Sequence, residues 1–322
     1  MRARKFLSIF ATLFVVLLPV VGFWQRQAIF DWVRLRGYMP SEQVASLATN
    51  TTMSNSMRRL FYVYHPGIED KTTFNKSCRD NEQTIVLGCY VDRIGIHLLD
   101  VTDSRLAGIE EVTAAHEVLH AAYARLGTLE RKEVDLMTSM AFSALTDQRI
   151  KDTIELYRKQ DPSIVPNELH SILGTEMRNL PADLEDYYKQ YFTDRSKIVS
   201  YSEQYEKAFT ERKNQIVAYD AQLESLKTQI DSLQSKLEKS AASLSAQRAQ
   251  LDAERAAGNI AAYNAGVSGY NKSVAAYNQQ IDQLTALVAQ FNDIVPRRNA
   301  IASEESDLVK AIDSRETVPG KQ

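Results

Sequence analysis

Two runs of apolar residues in the last third of the chain recur in steps of three, four or seven, and they constrain the fold more than any other feature. The first run covers residues 216–251 and the second covers residues 263–295. Such a heptad pattern is typical of helices that pack against each other along one seam. Two arms of similar length around the short break at Gly258-Asn259 predict an antiparallel coiled-coil hairpin over residues 196–315, with its turn near Gly258.

The second arm contains an internal repeat, because Tyr-Asn pairs recur one heptad apart. Its seam is expected to comprise Tyr263, Val267, Tyr270, Val274, Tyr277, Ile281, Leu284, Val288, Phe291 and Val295. We expect Pro296 to kink or end this arm, because proline lacks a backbone N–H and its ring clashes with the preceding turn. Self-association through the hairpin and capture of a protein partner both stay open. Residues 316–322 are expected to form a disordered tail.

Residues 6–24 form an almost wholly apolar run, FLSIFATLFVVLLPVVGFW, which is long enough to span a bilayer as a helix. Three basic residues precede this run, and no small-x-small cleavage site follows it. These features predict an uncleaved signal anchor within residues 1–25, with a cytoplasmic N-terminus and the rest of the chain outside the cytoplasm. Residues 26–57 are more polar and are expected to form a juxtamembrane segment.

The two cysteines of the chain are Cys78 and Cys89. In an extracytoplasmic, oxidising compartment they can form one disulfide. Their spacing does not fit a Cys₂His₂ zinc site, because the chain contains no C-x-x-C motif. The net charge of −3 and the lack of a run rich in lysine and arginine indicate that no nucleic acid is a partner.

The segment His116-Glu117-Val118-Leu119-His120 matches the H-E-x-x-H motif. Apolar residues recur at three- and four-residue steps between residues 109 and 126, without glycine or proline, and this predicts a helix. We expect Asp103 or Ser104 to cap the start of that helix and Gly127 to end it.

Two histidines four residues apart lie on the same face of a helix and can bind one metal ion. Glu117 is close enough on the helix surface to reach a water molecule at that ion. The motif therefore predicts a single catalytic Zn²⁺ site with His116 and His120 as ligands and Glu117 as the general base.

Three strands are predicted next to this helix, at residues 60–64, 84–90 and 94–101, because these runs are rich in β-branched, aromatic and leucine side chains. Asp92-Arg93 offers a turn between the last two. The edge of a small sheet beside the metal can hold an extended peptide by strand addition. We assign the whole catalytic domain to residues 58–195.

A third protein ligand should come from residues 166–176, PNELHSILGTE, where Glu168 and Glu176 are candidates about two helical turns apart. The H-E-x-x-H motif followed by Asn167-Glu168 resembles the gluzincin metallopeptidases, the thermolysin-type family. The resemblance covers these two motifs and implies that Glu168 is the third ligand and Glu117 the general base. The family carries an aspartate four residues after the ligand glutamate, whereas this chain has Ile172.

A further donor is needed to stabilise the oxyanion that forms during peptide hydrolysis. Among the nearby polar residues we select His170 for this role. A histidine on the helix surface without a catalytic role is the alternative interpretation of this residue.

Taken together, the patterns predict an α+β, mainly α protein, with a small zincin-like domain, a long helical hairpin and one transmembrane helix. The expected activity is that of a membrane-anchored, extracytoplasmic zinc metallopeptidase acting on peptides or proteins. The alternative is an envelope scaffold or adhesion protein, in which the coiled coil is the functional part and the zincin-like module is inactive.

Overall fold

The computed structural model of the chain describes residues 25–78 and 85–315. These residues fold into two compact units. The first unit contains the chain up to Ala208 and again from Leu308, and the second unit is Phe209–Asp307. The predicted anchor at residues 6–24 and the predicted tail lie outside the described residues. Among the residues that are described, no helix is both long and apolar enough to cross a membrane.

The first unit begins with three short helices, which are α1 (Arg26–Leu35), α2 (Glu42–Asn50) and α3 (Asn55–Val63). Ser41 and Ser54 cap α2 and α3, because their hydroxyl oxygens accept hydrogen bonds from backbone N–H groups of the first turn.

The segment at residues 26–57 packs as part of this unit. Its buried side chains, including Val44, Leu47 and Met57, pack in the same apolar cluster as the helix of the H-E-x-x-H motif. The predicted domain boundary at residue 58 therefore cuts through the core of the unit.

A small sheet follows, with β1 at Gly67–Glu69, β2 at Gly88–Val91 and β3 at Gly95–Leu99. Strand β3 is central, parallel to β1 and antiparallel to β2. The predicted strand at 94–101 and the turn before it are confirmed. Of the strand predicted at 84–90, only the part from Gly88 is extended in the sheet among the described residues.

The strand predicted at residues 60–64 is wrong, because these residues lie in and just after helix α3. Met57, Phe61 and Tyr64 are buried at steps of four and three residues, and Arg59 between the first two is exposed, which is a helical rather than an alternating pattern. A short apolar run does not distinguish a buried helix from a strand.

The predicted disulfide is confirmed, because Cys78 and Cys89 are bonded, with their Cα atoms 5.9 Å apart. It joins the end of helix α4 (Lys71–Ser77) to strand β2. The bond therefore links the end of α4 directly to β2, one of the two outer strands of the described sheet.

Helix α5 (Ile109–Ala124) confirms the helix predicted around the H-E-x-x-H motif. Its N-cap is Gly108, with a φ angle of 98°, whereas Asp103 caps a separate 3-10 turn. A side chain at position 108 would also meet Tyr201, at 2.9 Å from its Cβ atom. Gly127 does not end α5 but precedes the next helix.

Four more helices of the first unit follow, which are α6 (Thr128–Ser143), α7 (Gln148–Gln160), α8 (Val165–Glu176) and α9 (Ala182–Tyr188). Two long helices, α10 (Arg195–Ala256) and α11 (Ile260–Ile312), then form the hairpin. Of these, α10 begins within the first unit and α11 ends within it.

In the second unit, α10 and α11 pack against each other as an antiparallel hairpin, as predicted. Gly258 lies in the turn with a φ angle of 75°. Ser240 donates a hydrogen bond to Gln280 at 3.1 Å, and Arg298 pairs with Asp220 across the two helices at 2.8 Å.

Three details of the hairpin differ from the prediction. Ile281 and Val288 are 40% and 38% exposed, so the seam does not follow every expected position. A straight helix has 3.6 residues per turn, and a fixed seven-residue step therefore drifts around it. Helix α11 also continues through Pro296 to Ile312. The compact hairpin is shorter than residues 196–315, because both of its ends belong to the first unit.

Candidate metal centre

Helix α5 presents His116 and His120 on one face, and α8 brings Glu168 opposite to them. The Nε2 atom of His116 lies 3.6 Å from Glu168 Oε2, and the Nε2 atom of His120 lies 3.6 Å from Glu168 Oε1. One ligand atom of each residue lies within 4.8 Å of the other two. Such a His₂Glu set matches the protein ligands of a catalytic zinc site.

The two helices approach closely because Gly174 of α8 has no side chain. A Cβ atom at this position would lie 2.6 Å from Leu119 Cδ1 on α5 and 2.8 Å from Tyr188 Cε1. Leu119, which stands between the two histidines of the motif in the sequence, is fully buried. Gly174 therefore sets the separation of the helices that carry the three ligands.

The environment of Glu168 fits a cation. Its Oε2 atom is buried and makes no hydrogen bond. Burial opposes ionisation of the carboxyl group, but the charges of His120 and His116 outweigh it, and the pKa of Glu168 lies below its ordinary value. A buried carboxylate oxygen without a hydrogen-bond donor is costly unless a positive group lies beside it.

Ser171 holds one of the two imidazole rings. Its Oγ atom is 3.2 Å from His120 Nδ1, which leaves the Nε2 atom of that ring directed towards Glu168. The gluzincin-type aspartate position is occupied by Ile172, which is buried in a separate apolar cluster. Sequence reasoning missed Ser171, although a residue three positions after Glu168 lies on nearly the same helix face.

The rival ligand Glu176 lies near the candidate site but is bound by an arginine. Its carboxylate pairs with Arg149 at 2.7 Å, and the same guanidinium pairs with Glu206, also at 2.7 Å. Only Glu168 of the two candidates is in the group with both histidines of α5.

Glu117 is 5% exposed and lines a cavity of about 300 Å³ together with His116, His120 and Glu168. Strand β2 lies directly against it. A Cβ atom at Gly88 would be 2.8 Å from Glu117 Cγ and 2.6 Å from Thr113 Cγ2. Glycine at position 88 is therefore what lets the outer strand approach the carboxylate of the motif.

The cavity has walls from several elements of the first unit. Residues 85–90, which lead into and along β2, form one wall, and α5 and α8 form another. Tyr157 of α7, Asn167 and Tyr205 of α10 contribute the rest of the polar and aromatic lining. Sequence reasoning missed Tyr205, because it lies far along the chain in a run that reads as coiled coil.

His170 does not take the position predicted for it. It is fully buried and is not part of the cavity lining, and its Nε2 atom pairs with the Tyr187 hydroxyl at 2.9 Å. Two residues along a helix correspond to a rotation of about 200°, so His170 and Glu168 face opposite ways. Burial lowers the pKa of His170 to about 3, with His120 and His116 adding to the effect. It packs as a neutral core residue, and the selection of His170 as oxyanion donor is wrong.

Comparisons of the chain with protein-family models, with curated proteins and with solved structures found no match in any of the three. The assignment of a function therefore depends on the residues of this chain alone. Within residues 25–78 and 85–315, the group formed by His116, His120 and Glu168, with Glu117 beside it, has the most specific chemistry.

Proposed function

We propose that the chain is a zinc-dependent metallopeptidase. The observation that carries this proposal is the convergence of His116, His120 and Glu168 from two helices, beside a cavity that Glu117 also lines. Each of these residue types has a separate role in hydrolysis, and the sequence spacing alone brings only the first two together. The proposed site has one zinc ion with Glu168 as its third protein ligand.

His116, His120 and Glu168 would hold the zinc ion, which would lower the pKa of a bound water molecule and polarise a substrate carbonyl group. Glu117 accepts the proton of the attacking water and later delivers it to the leaving amine. Ser171 fixes the orientation of the His120 ring through its Nδ1 atom. Such an outer hydrogen bond sets which ring nitrogen is available as a ligand.

The substrate we propose is an extended peptide that lies along strand β2. This strand is one of the two outer strands of the described sheet, and its residues line the cavity next to Glu117. Backbone hydrogen bonds to an outer strand hold a peptide in an extended conformation, with side chains alternating between the two faces.

The proposed location is the extracytoplasmic side of a membrane. The disulfide between Cys78 and Cys89 supports an oxidising compartment. The apolar run at residues 6–24 supports an anchor that spans the bilayer.

The test is metal content and peptide cleavage by the full chain in detergent, measured by elemental analysis and with a fluorogenic peptide library. We expect about one zinc ion per chain and cleavage by the parent. Glu117→Gln should keep the zinc and lower kcat by about a hundredfold to ten-thousandfold, because it removes the general base. Zinc without cleavage of any peptide would reject the peptidase and favour the scaffold alternative.

Two matched substitutions test the ligand assignment. Glu168→Gln should lower zinc affinity by more than the roughly 10–100-fold that loss of an outer hydrogen-bond partner costs. Glu176→Gln, on the same helix, should leave zinc affinity unchanged, because its carboxylate pairs with Arg149. Equal loss in both variants, or loss in Glu176→Gln alone, would contradict the assignment.

A further inference from the structure

Helix α1 exposes an apolar face to its surroundings. Ile29, Trp32 and Val33 are 49%, 58% and 57% exposed, and their spacing places them on one side of the helix. Met39, just after the helix, is 87% exposed. A group of large apolar side chains that includes tryptophan is unusual on a surface that faces only water.

The opposite face of α1 is fixed to the first unit. Asp31 accepts two hydrogen bonds from Arg125, both at 2.9 Å. Arg34 donates to the backbone oxygens of Val63 at 3.0 Å and Ile94 at 2.7 Å. The helix therefore cannot rotate to bury its apolar face without breaking these contacts.

The charge of the exposed face is positive. Arg36 lies over the Trp32 ring, with its guanidinium carbon 5.4 Å from the ring centre. Arg26 falls on the same side of the helix by helical spacing. Asp31 is the single acidic residue of α1, and it is bound by Arg125 on the inner side.

We propose that α1 lies in the headgroup region of a lipid bilayer, with Ile29, Trp32 and Val33 in the boundary with the acyl chains and Arg36 at anionic headgroups. Tryptophan and arginine with large aliphatic side chains are the residues that suit this region. The apolar run at residues 6–24, which we propose as a membrane anchor, ends immediately before the residue that precedes α1, so such an anchor would bring the helix to the bilayer surface.

A protein partner fits this face less well. A helix of 10 residues is about 15 Å long and offers far less than the roughly 800 Å² per partner of a stable protein interface. Because α1 is fixed by Asp31 and Arg34, its insertion would hold the first unit in one orientation to the bilayer. This role is independent of whether the cavity hydrolyses peptides.

The test uses fluorescence of Trp32 in the full chain, reconstituted into vesicles of neutral and anionic phospholipid. The chain has two tryptophans, so Trp24→Phe leaves Trp32 as the only one. We expect blue-shifted emission and strong quenching by lipids brominated near the headgroup, with weaker quenching by lipids brominated near the chain end. Quenching by aqueous acrylamide without quenching by bromolipid would overturn the proposal. Protection from both quenchers would also overturn it, because a protein surface would then cover Trp32.

A matched pair of variants in the Trp24→Phe background tests whether the apolar face of α1 holds Trp32 in the lipid, as opposed to any exposed apolar residue having the same effect. Ile29→Ser with Val33→Ser should reduce the bromolipid quenching of Trp32 by about twofold or more, because the apolar anchor of the helix is lost. Leu129→Ser, at a 77% exposed leucine on α6, should leave it unchanged. Equal quenching in all three proteins would show that α1 does not hold Trp32 in the lipid.

Discussion

The first unit and the hairpin bury their apolar side chains in different ways. In the first unit, Phe61, Leu98 and Leu119 are fully buried in a core contributed by many elements. In the second unit, Phe209–Asp307, the most buried side chains are Leu226 and Leu237, at 8% and 9% exposure, along one seam. A core fixes side chains from every direction, whereas a seam fixes only one stripe of each helix. Close positioning of the three proposed ligands and the proposed base therefore belongs to the first unit.

The largest difference in stability is expected when a buried arginine of the first unit and an exposed arginine of the hairpin are each replaced by alanine. Arg195, 2% exposed in its side chain, binds Glu185 and donates to backbone oxygens at the end of α8. Arg195→Ala should lower the free energy of unfolding by about 3–5 kcal/mol, because it leaves the partners of a buried charge unpaired. Chemical denaturation of the full chain measures this change.

The control is Arg298→Ala, which removes the exposed pair with Asp220 in the hairpin. An exposed ion pair contributes little, because water and salt screen it. Equal effects of the two substitutions would mean that burial does not distinguish the two regions.

Gly88→Ala tests the close approach of the outer strand to the motif helix. The added methyl group would meet Thr113 and Glu117 at less than 3 Å. We expect a loss of about 1–3 kcal/mol in unfolding free energy, the usual cost of overpacking. Peptide cleavage should fall with it, while zinc content stays near that of the parent, because the ligands lie on α5 and α8. Loss of zinc in this variant would show that the strand also sets the ligand geometry.

Gly269→Ala is the matching substitution in the hairpin, with the opposite expected sign. A Cβ atom at Gly269 would meet nothing within 4 Å. Alanine in a helix is favoured over glycine by about 0.5–1 kcal/mol, since it loses less backbone freedom on folding. Thermal melting followed by circular dichroism should show a stabilised hairpin. Destabilisation would indicate a close neighbour at this position, such as a second copy of the chain.

The pH response of Glu206, in the first unit, gives a further comparison with the hairpin. Burial raises the pKa of Glu206 to about 7, although Arg149 opposes the shift. Below about pH 4.5 both the folded and unfolded forms are protonated, and between that pH and about 7 only the folded form retains the proton. Stability therefore falls as pH rises through this range and is flat above it.

Glu206→Gln should remove this part of the slope of melting temperature against pH. Glu224→Gln, on the exposed surface of the hairpin, is the control and should keep the parental slope. A parental slope in Glu206→Gln would assign the pH response to other groups.

The sequence predicted the features that depend on local periodicity. Helix α5 and the two arms of the hairpin follow from the spacing of their apolar residues, and the pairing of Cys78 with Cys89 follows from their being the only cysteines. The helices can be predicted because they depend on residues close together in the sequence. The disulfide can be predicted because each cysteine has only one possible partner within the chain.

What the sequence did not predict depends on contacts between distant elements. Residues 60–64 have high strand propensity, but they lie in and just after a helix, and Met57, Phe61 and Tyr64 are buried at steps of four and three residues. The burial of His170 among tyrosines follows from the rotation of α8, which is fixed only once Gly174 packs against α5. Ser171 was missed for the same reason.

The chain leaves the first unit at Ala208 and returns at Leu308, and this has a consequence for the order of folding. Closing a disordered loop of roughly 100 residues costs about 4 kcal/mol of chain entropy. A hairpin can instead close from its turn at Gly258 outwards, in steps that each join residues already brought near. On this route we expect the pair of Ser240 with Gln280 to form before the pair of Arg212 with Glu304. Folding of the hairpin would thus bring the two distant parts of the first unit's chain close together. A nick or a destabilising proline near the turn should therefore slow refolding of the first unit more than it lowers the final stability of that unit.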